Sequence, residues 1–229
     1  MSARGILSPL LWSLVVHDLL INLTERGLEV IGFADDIVII VRGKFDCVIF
    51  NRMQSALNFA LKWCRTEGLS INPSKTTIIP FTRRRKYTIK KLRLDGTDLN
   101  TSTETKFLGI WLDHKLNWST HIENAIKKAT SALWVCSRTI GKNWGLKPRM
   151  IHWLYRKIII PRLTYAPLVW WPKTNETAAQ TKLGKLQRLA CVSIREAMRS
   201  TPTKSLEAIC NFLPLHQTVQ LEAVKSAQG

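Results

Sequence analysis

Apolar residues follow two periods along the chain, and the change of period divides the sequence. Ser8-Pro9 predicts a helix start, because Ser is a good N-cap and Pro suits the first helical position. Gly27 predicts the end of that helix. Its inward face is predicted to consist of the apolar residues Leu10, Leu11, Leu14, Val15 and Leu19.

Two β-branched runs follow this helix, with an acidic pair between them. Residues 30–34 and 37–41 predict the two strands of a hairpin, with Asp35 and Asp36 at its bend. A second amphipathic helix is predicted over residues 45–66.

Short strands and then helices are predicted in the rest of the chain. Residues 76–81 and 107–112 predict strands of one small sheet, and Asp95-Gly96 is a strong hairpin-turn signal. Helices are predicted over residues 119–140, 148–171, 177–199, 203–212 and 215–227. Pro161 is expected to kink or break the second of these. The pattern predicts an α+β fold, mixed up to about residue 115 and all-helical after it.

Charge is distributed unevenly over the 229 residues, which carry 34 Lys and Arg against 16 Asp and Glu. The net charge is +1 for residues 1–82 and +17 for residues 83–229. The densest basic cluster consists of Arg83, Arg84, Arg85, Lys86, Lys90, Lys91 and Arg93. A local basic excess predicts a polyanionic partner, most often nucleic acid. The alternative for any single lysine is a solvated side chain without a partner.

Membrane and secreted classes are excluded by the same composition. No apolar run approaches the roughly 20 residues that span a bilayer, and the N-terminal residues lack the layout of a secretory signal. The five cysteines are widely spaced and contain no Cys-x-x-Cys pair, so neither a disulfide framework nor a zinc ribbon is predicted. An intracellular protein, in the cytoplasm or nucleus, is expected.

The acidic pair is the sharpest candidate for chemistry. Asp35 and Asp36 interrupt an otherwise apolar stretch, and burial of adjacent carboxylates is costly without a counter-charge. Mg²⁺ or Mn²⁺ would supply that charge, and paired carboxylates are typical of two-metal phosphoryl transfer. The alternative is an exposed turn, where Asp is common. The local pattern alone favours neither interpretation.

Four segments resemble the ordered motifs of reverse transcriptases. Phe33-Ala34-Asp35-Asp36 resembles the catalytic box, and residues 5–12 resemble the motif before it. Residues 68–76 and 107–109 follow in the order of that family. The helical part, with Trp144-Gly145-Leu146-Lys147-Pro148, is similar to non-LTR (LINE-type, jockey-like) retrotransposon polyproteins.

The resemblance implies a partial polymerase palm up to about residue 115, an antiparallel sheet with helices, followed by a thumb-like helical region. It implies that Asp35 and Asp36 bind the catalytic Mg²⁺ or Mn²⁺. Lys75 matches a lysine that assists pyrophosphate departure, with a solvated turn lysine as the equal alternative. The implied nucleotide and template contacts are Gly5, Ser8, Pro9, Phe33 and Ala34. Phe107, Leu108 and Gly109 match the primer-grip strand, whose alternative is an ordinary core strand.

The implied partners are an RNA template, a DNA primer and deoxynucleoside triphosphates, and integration of the DNA copy is the implied outcome. The sequence departs from the family in two respects. No Asp precedes Gly5 to match the first metal-binding residue of the palm, and the nucleotide-holding finger residues have no match. We therefore expect a truncated domain that does not polymerise DNA by itself. The alternative is a non-catalytic nucleic-acid-binding remnant of a retroelement.

Overall fold

A computed structural model describes residues 7–82, 84, 90–138 and 147–228, with only the backbone described at 137 and 138. The chain divides into two compact units, Met1–Thr103 and Glu104–Gly229. The described residues form helices and short strand pairs, in agreement with the α+β prediction. The proposed subdomain boundary near residue 115 stays a prediction.

The first unit contains two long helices and six short strands among its described residues. Its helices are α1 (Ser8–Glu25) and α2 (Asp46–Thr66). Its strands are β1 (Glu29–Phe33), β2 (Asp36–Ile40), β3 (Thr77–Ile78), β4 (Arg93–Leu94), β5 (Thr97–Asp98) and β6 (Asn100–Thr101). α1 packs on β1 and α2, and both hairpin strands follow α1 as predicted.

The predicted inward face of α1 is wrong except at Leu19. Leu10, Leu11 and Leu14 are each at least 58% exposed, while the buried residues are Val16, Leu19 and Leu23. α1 is apolar around most of its circumference, so spacing alone leaves two candidate faces. Contact with α2 and β1 selects the second face.

The start of α1 also differs from the prediction by one residue. Leu7 is the N-cap and Ser8 is the first helical residue, with Pro9 in the first turn. Leu7 already has helical torsion angles, and its carbonyl accepts from the Leu11 N–H at 3.0 Å. Ser8 therefore makes no capping hydrogen bond.

The short strands of this unit form isolated pairs instead of one sheet. β4 and β5 are antiparallel around Asp95-Gly96, which confirms the predicted turn, and both turn residues have positive φ. β3 and β6 pair in parallel, so the prediction of a single antiparallel sheet is wrong among the described residues. Strand pairs of two residues have little stability of their own. The β4–β5 pair is stabilised mainly by packing on α2, because Leu57 of α2 lies in one buried cluster with Leu92, Leu94 and Leu99.

The second unit begins with a hairpin and continues as helices. The hairpin consists of β7 (Glu104–Phe107) and β8 (Ile110–Asp113). The helices are α3 (Ser119–Arg138), α4 (Pro148–Leu154), α5 (Ile160–Leu163), α6 (Pro167–Trp170), α7 (Thr177–Arg195), α8 (Thr203–Cys210) and α9 (Leu215–Gln228). The main core cluster joins α3, α4, α7 and α8 around the fully buried Leu183 and Ala190.

Pro161 interrupts the second predicted helix in an identifiable way. Residues Tyr155–Ile159 form a π-helical turn, and the Ile160 N–H donates to the Tyr155 carbonyl five residues earlier. Pro161 has no N–H to continue the regular pattern. α5 then ends at Leu163, and Ala166 adopts a positive φ of 46° before α6.

The neighbours Trp170 and Trp171 differ in burial. Trp170 is 1% exposed and Trp171 is 37% exposed, so the two side chains do not share one core. Within the described ranges, every helix is too short or too polar to span a bilayer.

Candidate functional site

The acidic pair lies at a tight β1–β2 turn. Phe33 pairs with Asp36 across the hairpin, so Ala34 and Asp35 are the two turn residues. Ala34 has a φ of 51°, a left-handed conformation that is unfavourable for a residue with a Cβ. Two-residue hairpin turns require positive φ at the first turn position, because only then does the turn match the twist of the strands. The hairpin therefore imposes this conformation on Ala34.

A hydrogen bond from α1 holds the turn. The Trp12 indole Nε1–H donates to the Ala34 carbonyl oxygen at 2.6 Å. Gly32 allows the close approach of β1 to α1, since a Cβ there would lie 3.0 Å from Leu20 Cδ1. Trp12 lies about one turn after Ser8 and Pro9, so the structure connects the predicted nucleotide-binding helix to the predicted catalytic turn.

The carboxylates themselves are exposed, so the structure has the exposed turn, one of the two alternatives that the local sequence pattern left open. Asp35 and Asp36 are both exposed, and the neighbouring Phe33 is 60% exposed. Neither carboxylate has a cationic or hydrogen-bond partner among the described residues. Water rather than a counter-charge solvates them, so desolvation gives no argument for a metal here.

The donor chemistry still fits a divalent cation. Two adjacent carboxylates supply hard oxygen ligands, which Mg²⁺ and Mn²⁺ prefer. Within the residues that the structure describes, no group of three His, Cys, Asp or Glu side chains could hold a metal. Asp35 and Asp36 would supply two carboxylate ligands to such a cation, and further ligands would have to come from elsewhere.

Lys75 lies at the end of a short 3₁₀ turn, Pro73–Lys75, directly before β3. The Asn72 side chain organises this turn by accepting from the Ser74 N–H at 3.0 Å and the Ser74 hydroxyl at 2.7 Å. The Lys75 side chain is exposed and pairs with no acid in the described part of the chain. It is thus available to an anionic ligand.

The described members of the basic cluster are exposed, and all except Arg93, which lies 2.8 Å from an Asp98 oxygen, are weakly held. Arg84 lies 3.7 Å from an Asp46 oxygen, Lys91 lies 3.5 Å from Asp98, and the Lys90 ammonium is 5.7 Å from the Phe50 ring centre. Exposed ion pairs of this kind contribute little stability, so these cations remain available to phosphates. The other predicted contacts, Gly5, Arg83, Arg85 and Lys86, lie outside the described residues.

The predicted primer-grip segment is a turn, so the strand predicted over 107–112 is wrong at its centre. Phe107 ends β7, and Leu108 and Gly109 form a two-residue turn with φ of 44° and 85°. Tyr165 fixes this turn by donating its hydroxyl proton to the Leu108 carbonyl at 3.2 Å. A Cβ at Gly109 would lie 3.2 Å from Tyr165 Cε1. Sequence pattern missed the turn because the apolar run continues through it.

Gly109→Ala and Gly184→Ala are expected to change stability in opposite directions. Gly109→Ala should lower the free energy of unfolding by about 1–3 kcal/mol, because its φ is positive and Tyr165 lies close. Gly184 lies inside α7 with no atom within 4 Å of an added Cβ, so Ala there should stabilise by about 1 kcal/mol. Urea unfolding followed by circular dichroism measures both variants. Equal effects at the two positions would contradict the turn assignment.

The Trp12–Ala34 bond is a feature that sequence reasoning missed. No local signal in the sequence indicates an indole that bonds to a carbonyl 22 residues away.

Comparison with known proteins adds independent information. Residues 5–112 match the family described as Reverse transcriptase (RNA-dependent DNA polymerase). The chain is 24% identical over 223 residues to the putative 115 kDa protein in type-1 retrotransposable element R1DM of Drosophila melanogaster, covering 96% of this chain. It is 25% identical over 207 residues, 90% of this chain, to the Pol polyprotein from the type-1 element R1 of Bradysia coprophila.

A further similarity involves the RNA-directed DNA polymerase from mobile element jockey of Drosophila melanogaster, at 24% identity over 83% of this chain. The chain spans 21% of the length of each of these three relatives. No solved structure is a significant match to the chain.

Proposed function

We propose that this chain is part of an RNA-directed DNA polymerase of a non-LTR retrotransposon of the R1 or jockey type, because residues 5–112 match the reverse transcriptase family and the relatives come from such elements. The observation that carries the proposal is the hairpin. It presents two adjacent, unpaired carboxylates on a turn whose backbone is held by Trp12. The family match includes this hairpin entirely.

In the proposed mechanism, Asp35 and Asp36 hold the catalytic Mg²⁺ or Mn²⁺ through their carboxylate oxygens. The bound metal ions would activate the primer 3′-hydroxyl and stabilise charge on the departing pyrophosphate. The rigid turn keeps both carboxylates oriented, and their exposure leaves them accessible to substrate phosphates. By the resemblance to the family, Asp35, the first of the pair, is the essential member.

Other residues take supporting roles in the proposal. Phe33 and Ala34 lie beside the primer end, while Gly5, Ser8 and Pro9 contribute to the surface under the template base and the incoming nucleotide. Lys75 offers a proton to the departing pyrophosphate. The Phe107–Gly109 turn contacts the primer strand, in a palm-and-thumb arrangement of which this chain supplies part.

Cations outside the hairpin would bind the RNA template and DNA primer through their phosphates. Arg84, Lys90 and Lys91 are exposed, and Arg83, Arg85 and Lys86 belong to the same run. Such contacts neutralise phosphates without reading sequence. This activity is proposed to take place inside the cell, in the cytoplasm or the nucleus.

A second candidate function is non-catalytic binding of nucleic acid. The specific observation in its favour is that two carboxylates, and not three, are gathered at the hairpin within the described ranges. Both functions predict binding of an RNA–DNA duplex that weakens steeply with salt. They differ in whether a further carboxylate is supplied to the hairpin.

The 229-residue chain alone is therefore expected to bind a primed RNA template but not to extend the primer. Extension should appear when the chain replaces the similar segment of the Drosophila melanogaster R1 relative, whose remaining residues would supply the missing ligand. Denaturing gels of primer extension with deoxynucleoside triphosphates and Mg²⁺ measure this. Templated extension by the chain alone would contradict the missing-ligand argument. An inactive but folded chimera that binds duplex would favour the non-catalytic function.

A further inference from the structure

Two cysteines meet in the core of the second unit. Cys191 of α7 is fully buried, and Cys210, the last residue of α8, is 2% exposed. Both belong to the core cluster that contains Leu183 and Ala190, and α7 packs on α8. The two thiols form a side-chain hydrogen bond with each other. The fold therefore brings together two nucleophilic sulfur atoms that are distant in sequence and that the proposed polymerase function does not use.

The connection between the two helices suits a covalent link between these thiols. Residues 196–202 join α7 to α8, and Glu196 reverses the chain at the end of α7 with a φ of 51°. The Arg188 guanidinium of α7 holds the connection by donating to the carbonyl oxygens of Arg199 and Thr201. The bonded S–S distance is about 2.05 Å. Because the two sulfur atoms are already in hydrogen-bond contact, only a small displacement of the short helix α8 is needed to reach it.

Burial protects the thiols from oxidation while the second unit is closed. Burial, together with the neighbouring Cys210 thiol, raises the pKa of Cys191, so the Cys191 thiol is protonated at pH 7. The thiolate is the nucleophile in thiol–disulfide exchange, so a protonated and buried thiol reacts slowly. Reaction with an oxidant therefore requires a transient opening of α8 that exposes one of the two sulfur atoms.

We propose that Cys191 and Cys210 form a reversible disulfide under oxidising conditions, and that this bond links α8 covalently to α7. The oxidant is a small-molecule disulfide of the glutathione type. One cysteine thiolate attacks a sulfur of the oxidant, forms a mixed disulfide and releases one reduced small thiol. The second thiolate then attacks the cysteine sulfur of the mixed disulfide and releases the other reduced small thiol. The two protons of the cysteine thiols end on the released thiols, and two electrons pass from the chain to the oxidant.

The expected consequence is a second unit whose stability depends on the redox state. A disulfide between positions 191 and 210 closes a loop in the unfolded chain and so reduces the conformations available to it. The oxidised unit should therefore resist unfolding more than the reduced unit. Small reduced thiols reverse the bond, so the pair is reduced under reducing conditions and linked under oxidative stress. This inference is independent of the proposed polymerase function.

The first measurement identifies the bond in the full chain. The folded protein is incubated with oxidised glutathione, remaining thiols are alkylated, and the chain is digested with trypsin without reduction. Mass spectrometry should show residues 189–195 linked to residues 205–225, and the linked peptide should disappear after reduction. Cys64 is the matched comparison, because it is buried in the first unit and burial also raises its pKa. Absence of the 191–210 link, or links of Cys64 at equal yield, would overturn the proposal.

The second measurement tests the link between α7 and α8 by urea unfolding, with each protein compared in its oxidised and reduced forms. Oxidation should raise the urea midpoint of the second unit by about 1–2 M in the wild type, and reductant should restore it. Cys191→Ala and Cys210→Ala should each abolish this shift, while Cys64→Ala should retain it. If one variant does not fold, the other variant and the linked peptide still decide. An unchanged or lower midpoint in the oxidised wild type, or a shift that persists in Cys191→Ala or Cys210→Ala, would overturn the proposal.

Discussion

Asp35→Asn should reduce Mg²⁺-dependent primer extension at least about a thousandfold, measured in the R1 chimera that contains this chain. Asn keeps the size and hydrogen-bonding capacity of the side chain but removes the charge that binds a divalent cation. The turn should remain intact, because it is held by the strand pairing and by the Trp12 bond to the Ala34 carbonyl, not by the carboxylate. Single-turnover extension of a DNA primer on an RNA template measures the loss.

Glu67→Gln is the control for the loss of one negative charge. Glu67 is exposed, lies in the same unit and caps the C-terminus of α2, away from the hairpin turn in sequence. Its substitution should change extension less than about threefold, since exposed charges away from the reacting atoms contribute little. Duplex binding without metal should be equal for wild type and both variants. Extension by Asp35→Asn within tenfold of wild type would rule out Asp35 as a metal ligand.

Leu183→Ala should lower the free energy of unfolding of the second unit by about 3 kcal/mol. Leu183 is fully buried in α7 and lies in the core cluster that joins α3, α4, α7 and α8. Truncation removes apolar contacts and leaves space that packed helices fill only partly. Urea unfolding followed by circular dichroism measures the change, with the two units treated as separate transitions if the curve has two steps.

Leu221→Ala is the matched control for this loss, because Leu221 lies on α9 of the same unit and is 47% exposed. Its truncation should cost less than about 1 kcal/mol, since most of the side chain already contacts water. Equal destabilisation by the two variants would contradict the assignment of the α7 core. A lower urea concentration at the unfolding midpoint, with an unchanged dependence of the unfolding free energy on urea, would show that the substitution lowers the stability of the folded state.

Element type was predictable over most of the chain, and the reasons are local. α2 was predicted over 45–66 and observed at Asp46–Thr66, because its apolar residues repeat strictly at helical spacing. The predicted face of α1 failed because nearly all its positions are apolar. In such a helix only contacts with other elements decide which side is buried.

The candidate site was predictable from the sequence only where its structure depends on neighbouring residues. A hairpin that turns at the acidic pair follows from the β-branched residues on either side, although the observed turn is Ala34-Asp35 and Asp36 begins β2. Whether the two carboxylates are buried or exposed did not follow, since the apolar neighbours are compatible with burial and Asp is also common in exposed turns. The turn at Leu108-Gly109 and the bond from Trp12 depend on partners distant in sequence, Tyr165 and Ala34. Periodicity carries no information about such pairs.

The π turn at Tyr155–Ile159 has a consequence for tolerated changes in chain length. It fits one more residue into the turn than an α-helix does, which rotates everything after it by about 100° relative to an uninterrupted helix. Deletion of one residue in this turn would preserve helicity yet turn Leu163 away from the core cluster in which it is buried. Insertions and deletions within the π turn are therefore restricted, because each one rotates the helix that follows. Conservative side-chain substitutions at the exposed positions of the turn cause no such rotation and are tolerated.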